Sequence, residues 1–147
     1  MVQETISSAF APKAIGPYSP AIKAGDFIFL SGQLPIDPST GELVEGGIRE
    51  QTEQCIKNMQ AVLQEVGLDL RYVVKTTVYL KDMNDFAEMN EVYGNYFTNP
   101  YPARSAAGVS SLAKGALVEI EGFALDLRAL EVICSSESCC DGCCSHE

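Results

Sequence analysis

The most strand-like stretch of the sequence is Tyr72-Val73-Val74-Lys75-Thr76-Thr77-Val78-Tyr79-Leu80. Most of its positions are β-branched or aromatic, the residue types that suit a pleated, half-buried surface. On its N-terminal side, apolar residues recur every three or four positions from 48 to 66, which predicts a helix with one apolar face. Gly67 is predicted to end that helix, because glycine is the residue most often found just beyond a helix C-terminus. The sequence therefore predicts a helix followed closely by a buried strand.

A second helix is predicted on the C-terminal side of this strand. Asp82 or Asn84 offers an N-cap, and the helical pattern runs to about Phe97. Asn99-Pro100-Tyr101-Pro102 then ends the helix, because proline lacks the amide hydrogen that a helix interior requires. The inner face of this second helix is expected to consist of Phe86, Met89, Tyr93 and Phe97.

Shorter strand signals flank this central helix-strand-helix unit. They cover residues 2–6, 21–23, 26–31, 105–110 and 116–127, and the second and third of them are spaced as a hairpin. The predicted class is α+β, with two helices on one face of a mixed or antiparallel sheet. Two helices leave apolar strand surface uncovered on the other face, and burial against further copies of the chain would cover it. We therefore expect a homo-oligomer.

The composition narrows the class of protein. The chain has 147 residues, of which 46% are hydrophobic and 20% charged, as is usual for one globular domain. No run approaches the roughly 18 apolar residues of a membrane helix, and the N-terminus lacks the apolar core of a signal peptide. These patterns predict a cytoplasmic or organelle-matrix protein that does not enter a membrane.

Charge and histidine content exclude several functions. The net charge is −10, and no basic run is present, so general binding of nucleic acid is not expected. The only histidine is His146. Residues 1–145 therefore cannot form a Ser-His-Asp site, a Cys-His nucleophile or a histidine-ligated metal centre. Catalysis in this part of the chain would have to use arginine, carboxylates, tyrosine, serine, backbone groups or water.

Two charged stretches are the strongest candidates for a site. In Tyr101-Pro102-Ala103-Arg104-Ser105 the proline stiffens the approach to Arg104, whose planar guanidinium suits bidentate binding of a carboxylate. A surface ion pair is the structural alternative for this arginine. In Val118-Glu119-Ile120-Glu121 strand periodicity places both glutamates on one face, so spacing does not separate their roles. We expect Arg104 and Glu119 to meet in one small pocket.

Six segments in this order resemble the reactive-intermediate deaminase family, the RidA or YjgF-type proteins. They cover roughly residues 2–127 and are Gly16-Pro17-Tyr18-Ser19-Pro20, Ser31-Gly32-Gln33 with Asp37-Pro38-Ser39-Thr40-Gly41, Tyr79-Leu80-Lys81-Asp82-Met83-Asn84-Asp85-Phe86, Asn90-Glu91-Val92-Tyr93, Pro102-Ala103-Arg104-Ser105 and Val118-Glu119-Ile120-Glu121. The resemblance implies a chorismate-mutase-like α+β subunit that forms a homotrimer with ligand pockets between subunits. It also implies hydrolysis of 2-enamines and 2-imines of the 2-aminoacrylate type to 2-keto acids and ammonia, with no metal or organic cofactor.

The same resemblance implies roles for individual residues. Arg104 would hold the substrate carboxylate, and Glu119 would activate water and then return a proton to the departing nitrogen. Tyr18 would close the pocket and hydrogen-bond water or carboxylate. Further ligand contacts are implied for Ser31, Asn90 and the backbone near Ala106. Many family members carry cysteine at the position of Ala106, so thiol-dependent reactivity is not expected there.

Other functions remain open on the sequence. A non-catalytic regulatory module could bind a 2-keto acid through Arg104 alone, although the additional presence of Glu119 favours an enzyme. A ribonuclease conflicts with the net charge of −10. A chorismate mutase would need several cations for its dianionic substrate, and the chain has few arginines.

Residues 128–147 form a cysteine-rich tail rather than a second domain. Cys139, Cys140, Cys143 and Cys144, with His146, could bind a soft metal ion such as Zn²⁺ or Cu⁺. The Cys-Cys-x-x-Cys-Cys pattern also resembles dye-binding tags, so both a natural thiol tail and an added segment remain open. We expect truncation after Leu127 to leave turnover unchanged.

Overall fold

The structure is a computed structural model that describes residues 3–128. The two helices are α1 (Ile48–Gln64) and α2 (Phe86–Tyr96), and short 3-10 turns cover Leu70–Tyr72, Met83–Asp85 and Ala113–Gly115. The strands are β1 (Glu4–Ile6), β2 (Ala21–Ala24), β3 (Phe27–Gln33), β4 (Val73–Leu80), β5 (Ala103–Gly108) and β6 (Val118–Leu125). The tail cysteines and their proposed metal site lie outside the described residues.

The strands form one six-stranded sheet in the order β1-β2-β3-β6-β4-β5. Only β4 and β5 run parallel, and the other neighbours are antiparallel. Both helices cover the same face, because every second residue of the central strands is apolar and buried there. On β6 these residues include Val118, Ile120 and Ala124, which are fully buried. The predicted α+β class with a mixed sheet is confirmed.

The helices follow their predicted apolar faces, with small differences at the ends. Helix α1 ends at Gln64, before the expected limit at residue 66, and Gly67 adopts a φ of 72° just beyond it. The side chain of Asp82 accepts a hydrogen bond from the Asn84 amide and caps the 3-10 turn, so α2 itself begins later, at Phe86. Local capping chemistry was therefore identified correctly but assigned to the wrong helical segment.

The core between helices and sheet contains a buried thiol and a buried tyrosine that lie close to the candidate site residues. Cys55 of α1 is fully buried, and burial raises the pKa of its thiol well above the usual value. Tyr93 and Phe97 of α2 stack with ring centroids 4.3 Å apart. The Tyr93 hydroxyl also lies 2.8 Å from the Thr76 hydroxyl on β4, within hydrogen-bonding distance. This contact fixes the Tyr93 ring beside the start of β5.

The face of the sheet opposite the helices carries exposed aromatic residues. Phe27 is 56% exposed, and Phe29 and Phe123 are 44% and 45% exposed. The Phe29 and Phe123 rings meet edge to face, with centroids 5.3 Å apart. The predicted uncovered apolar face is thus present, and we call it the open face.

A hydrogen-bonded carboxylate at the end of β6 should make the stability of the fold depend on pH. Asp126 accepts hydrogen bonds at 2.7 Å from Arg128 and at 2.9 Å from Lys23, and these contacts hold its pKa well below the usual range. A depressed pKa in the folded state stabilises the fold above the unfolded-state pKa, and this contribution is lost as the pH falls through the folded-state value.

We expect Asp126→Asn to lower the free energy of unfolding at pH 7 by about 1.5–3 kcal/mol, the range for a hydrogen bond to a charged group. The difference from the unsubstituted protein should shrink as the pH falls below about 4. Urea unfolding between pH 7 and 2 measures both effects. Asp26→Asn on the exposed β2–β3 turn is the matched control and should change little. A constant difference at all pH values would contradict the assignment.

Candidate functional site

Three of the predicted site residues meet on the open face. Tyr18, Ser31 and Glu119 line one cavity of about 580 Å³, and Glu121 lines it as well. The cavity also has an apolar part formed by Pro12, Ile15, Leu34, Ile36 and Ala113. We call this space the Glu119 cavity. A pocket with a few polar groups among apolar residues is the usual form of a small-molecule site.

A bulge in β3 makes room for the Glu119 side chain. Between Leu30 and Gln33, β3 contains one residue more than the opposite segment of β6, which runs from Gly122 to Ile120. Gly32 lies in this bulge, and a Cβ atom built on it would be only 1.9 Å from Oε1 of Glu119. The carboxylate therefore occupies the space that any side chain at position 32 would need.

The pKa of Glu119 is raised for two reasons. Glu119 is partly buried, and loss of solvation is the larger cause; repulsion from the neighbouring Glu121 adds to it. Glu121 in turn accepts a hydrogen bond of 3.1 Å from the Tyr79 hydroxyl. A raised pKa makes Glu119 a stronger base than an ordinary surface glutamate, as a proton-transfer group requires.

The loop that carries Tyr18 is tethered to β3. The Ser31 hydroxyl donates a 2.6 Å hydrogen bond to the Ser19 carbonyl, and the Ser31 amide donates to the Pro20 carbonyl. Ser31 therefore positions the loop, and only its oxygen lone pairs remain for a ligand. The Tyr18 hydroxyl accepts a hydrogen bond from the Ile15 amide at 3.3 Å, which leaves its own hydrogen able to donate.

Arg104 lies in a different cavity. This second space, of about 450 Å³, is lined by Asn90, Tyr93, Gly94, Tyr101, Pro102 and Arg104. The guanidinium carbon of Arg104 lies 4.7 Å from the centre of the Tyr93 ring and 5.7 Å from that of Phe86. Stacking on an aromatic ring leaves the N–H groups at the edge of the guanidinium for a ligand. Asn90 therefore lines the same cavity as Arg104.

Arg104 is not held in the surface ion pair that its sequence context also allowed. Across residues 3–128 the ion pairs of the structure involve other cations, and no carboxylate lies within 4.0 Å of the Arg104 guanidinium. An exposed arginine oriented by aromatic rings but without an acidic partner is suited to an external carboxylate.

Within one chain, Arg104 and Glu119 lie on opposite faces of the sheet. Arg104 is paired with Thr76, whose buried side chain contacts Tyr93 on the helical face. Glu119 is paired with Tyr79 and points to the open face. The prediction that both meet in one pocket is therefore wrong for a single chain. Any pocket that contains both residues must be formed by two copies.

Ala106 lies on the same face as Arg104. It follows Arg104 by two residues on β5 and is partly buried against the core. In the described sheet β5 is an edge strand with β4 as its one neighbour, so backbone groups on its outer side lack a strand partner. The predicted backbone contact near Ala106 thus falls on an accessible edge beside Arg104.

Two features are absent from residues 3–128. No three histidine, cysteine, aspartate or glutamate side chains in this range cluster as metal ligands would. No helix in the same range is both long and apolar enough to cross a bilayer.

The fold and its two polar cavities define an α+β subunit with a candidate small-molecule site. Comparison with known proteins gives the family: the sequence profile described as Endoribonuclease L-PSP matches residues 8–126. The chain therefore belongs to this family, the RidA/YjgF family, and the resemblance noted in the sequence is confirmed.

Individual relatives match nearly their full length. A RutC family protein of Pyrococcus abyssi is 58% identical over 124 residues, covering 84% of this chain and 98% of the relative. The human 2-iminobutanoate/2-iminopropanoate deaminase is 48% identical over 125 residues, covering 85% of this chain and 91% of the relative. Among solved structures, the fold resembles the crystal structure of E. coli TdcF with bound serine, with a TM-score of 0.79 and 38% sequence identity. The match covers 83% of this chain and 98% of the TdcF chain.

Sequence reasoning did not find the role of two neighbours of Glu119. Gly32 leaves a space beside β3, and the group that fills it is the Glu119 carboxylate. The hydrogen bond from Tyr79 to Glu121 was missed. Strand periodicity predicts which face of the sheet each of these two side chains is on. It does not give the register between β4 and β6, which decides whether the two side chains are neighbours.

We expect Gly32→Ala to displace Glu119 and to lower kcat/KM by at least about 10-fold in any reaction that uses Glu119 for proton transfer, since a positioned proton-transfer group contributes roughly 10²–10⁴-fold. The fold should be kept, because the clash involves a side chain that can rotate away. Gly47→Ala is the matched control: a Cβ there would meet only Glu50, at 3.9 Å. Steady-state kinetics with circular dichroism checks the prediction, and full activity of Gly32→Ala would contradict it.

Proposed function

We propose that this protein hydrolyses 2-imines and 2-enamines of the 2-aminoacrylate type to 2-keto acids and ammonia. The observation that carries the proposal is the pair of complementary half-sites: an arginine without an acidic partner on one face and a partly buried carboxylate on the other. The activity for which the human relative is named supports the same reaction.

The proposed site forms between two copies of the chain in a homotrimer. The open face supplies Glu119, Tyr18 and the exposed aromatic residues, and the edge of a neighbouring copy supplies Arg104. Contact between copies would bury the aromatic surface and bring the two half-sites together. It would also shield the substrate from water and strengthen the ion pair with its carboxylate.

Binding and chemistry are divided between the half-sites. Arg104 binds the substrate carboxylate through two parallel hydrogen bonds, with Asn90 beside it. Tyr18 covers the ligand, and the serine bound in E. coli TdcF is a small carboxylate of the kind this pocket would accept. This arrangement places the imine carbon of the substrate next to Glu119 of the other copy.

The reaction consumes one water molecule and needs a single proton-transfer group. An enamine first tautomerises to the imine. Ionised Glu119 then takes a proton from water as the water oxygen bonds to the imine carbon, and the imine nitrogen takes a proton from solvent, which gives a neutral carbinolamine. Protonated Glu119 next returns its proton to the nitrogen, the C–N bond breaks as the hydroxyl releases its proton to solvent, and ammonia and the 2-keto acid are released. Atoms and charge balance without a cofactor.

Semicarbazide competition tests the proposal. An amino-acid oxidase or a serine/threonine dehydratase generates the imine, and semicarbazide traps it as a semicarbazone that absorbs light. We expect the protein to suppress semicarbazone formation in proportion to its concentration, because it removes the imine first.

The result that would overturn the proposal is no suppression with imines of several side chains. If 2-keto acids still bound through Arg104 in calorimetry, the protein would instead be a regulatory module that binds 2-keto acids. A ribonuclease activity is disfavoured by the net charge of −10. The cytoplasmic location expected from the sequence stays a prediction.

A further inference from the structure

A hydrogen-bonded pair beside Glu119 is not used in the mechanism above. Glu121 follows Glu119 by two residues on β6, so both carboxylates are on the open face and line the same cavity. Tyr79 pairs with Glu119 across β4 and β6, but its hydroxyl donates diagonally to Oε1 of Glu121, at 3.1 Å. Glu121 is thus anchored next to a like charge.

We propose that Tyr79 and Glu121 are positioning residues for Glu119: Tyr79 anchors the Glu121 carboxylate, whose charge makes Glu119 a stronger base toward the attacking water. This inference rests on the proposed function, because it assigns a purpose to the same proton-transfer group. A free surface glutamate would turn away from a like charge, and the tyrosine hydrogen bond opposes that movement.

The electrostatics of the cavity agree with this geometry. Repulsion from Glu121 is the second cause, after burial, of the raised pKa of Glu119. The pKa of Tyr79 is also raised, by burial first and then by its hydrogen bond to Glu121, so the tyrosine stays protonated and continues to donate at neutral pH. A base is most effective when its pKa approaches the working pH.

Other titratable groups surround Glu119 and limit what Glu121 contributes. The titratable groups that line the cavity with Glu119 are Tyr18 and Lys13 on the N-terminal loop, Lys114 of the last 3-10 turn and Glu121 on β6. Tyr79 on β4 pairs with Glu119, and the buried thiol of Cys55 on α1 lies behind the sheet. Lys114 already contacts the Gly41 carbonyl at 3.2 Å and Glu42 at 3.4 Å. The assembled site adds Arg104 of another copy, which favours ionised Glu119.

The test compares Glu121→Gln, Tyr79→Phe and the double variant in the full-length protein. One readout is the pH dependence of kcat/KM, whose acid limb reports the ionisation of the free enzyme's base. The second is the titration of Glu119 itself, followed by carboxyl ¹³C NMR and assigned with Glu119→Gln. Glu65→Gln, which removes an exposed acid at the end of α1, controls for the change in net charge.

We expect Glu121→Gln to shift both midpoints to lower pH, because the like charge is gone. Tyr79→Phe should shift both midpoints in the same direction but by less. In this variant Glu121 keeps its charge and loses only the hydrogen bond that holds it near Glu119. In the double variant Tyr79→Phe should add nothing, since its effect acts through Glu121. Glu65→Gln should leave both midpoints in place.

An unchanged Glu119 titration in Glu121→Gln would overturn the inference, and so would an equal Tyr79→Phe shift with and without Glu121. Failure of the proposed function looks different: the unsubstituted protein would not suppress semicarbazone formation. The NMR titration would still decide the electrostatic relation in that case, because it does not require turnover.

Discussion

Replacement of Arg104 by alanine is expected to lower kcat/KM roughly 30- to 5,000-fold, because loss of one partner of a hydrogen-bonded charge pair costs about 2–5 kcal/mol. The substrate carboxylate would enter the site without its binding group, and the reacting carbon would no longer be held against Glu119. The measurement is semicarbazide competition with a single imine substrate. The rate of semicarbazone formation is compared between the variant and the unsubstituted protein at equal protein concentration.

Arg104→Lys separates the charge of this residue from its shape. Lysine keeps the cation but cannot form the planar bidentate contact or stack in the same way on Tyr93, so we expect activity between the alanine variant and the unsubstituted protein. Arg49→Lys is the matched control, since Arg49 is exposed and pairs with Glu88 and Glu91 of α2. Full activity of Arg104→Lys would argue against bidentate binding of the carboxylate.

Replacement of Glu119 by glutamine is expected to lower kcat by about 10²–10⁴-fold, the usual contribution of a positioned proton-transfer group. KM should change little, because in the proposed site the carboxylate of the substrate is bound by Arg104 and not by Glu119. The acid limb of the pH–rate profile should disappear together with the ionising group. Glu45→Gln, on an exposed loop, is the control, and a Glu119→Gln variant with normal kcat would remove Glu119 from the mechanism.

The opposite-face geometry makes a further result specific to a shared site. Arg104→Ala and Glu119→Gln are each expected to be nearly inactive alone, but subunits of the two variants co-assembled at random should recover about a quarter of normal activity, because that fraction of interfaces joins an intact Arg104 to an intact Glu119. If mixed oligomers form and remain inactive, the two residues do not act in one site.

Local sequence was enough for the helices and for the class of fold. The apolar stripe of α1 and the inner face of α2 follow from their own periodicity, because a helix places residues three and four apart on one side wherever it lies. The same holds for β6, where Val118 and Ile120 are buried and Glu119 and Glu121 are not. These features need no knowledge of neighbouring elements.

The relation between Arg104 and Glu119 was not available from local sequence. Which face of the sheet receives Arg104 depends on its pairing with Thr76, and that register is set by long-range packing rather than by either strand alone. A slip of one residue would move every side chain of β5 to the other face. For this reason local sequence could propose these residues for the site but could not give their separation within one chain.

The sequence by itself determined the α+β class, the apolar faces of both helices, the uncovered face of the sheet and the residue types of the candidate site. Only the tertiary structure decided that Glu119 fills the space over Gly32, that Tyr79 holds Glu121, and that Arg104 belongs to the opposite face. The physical reason is that amphipathic periodicity is a property of a single segment, whereas bulges, register and contacts between side chains arise from packing of segments that are distant in the chain.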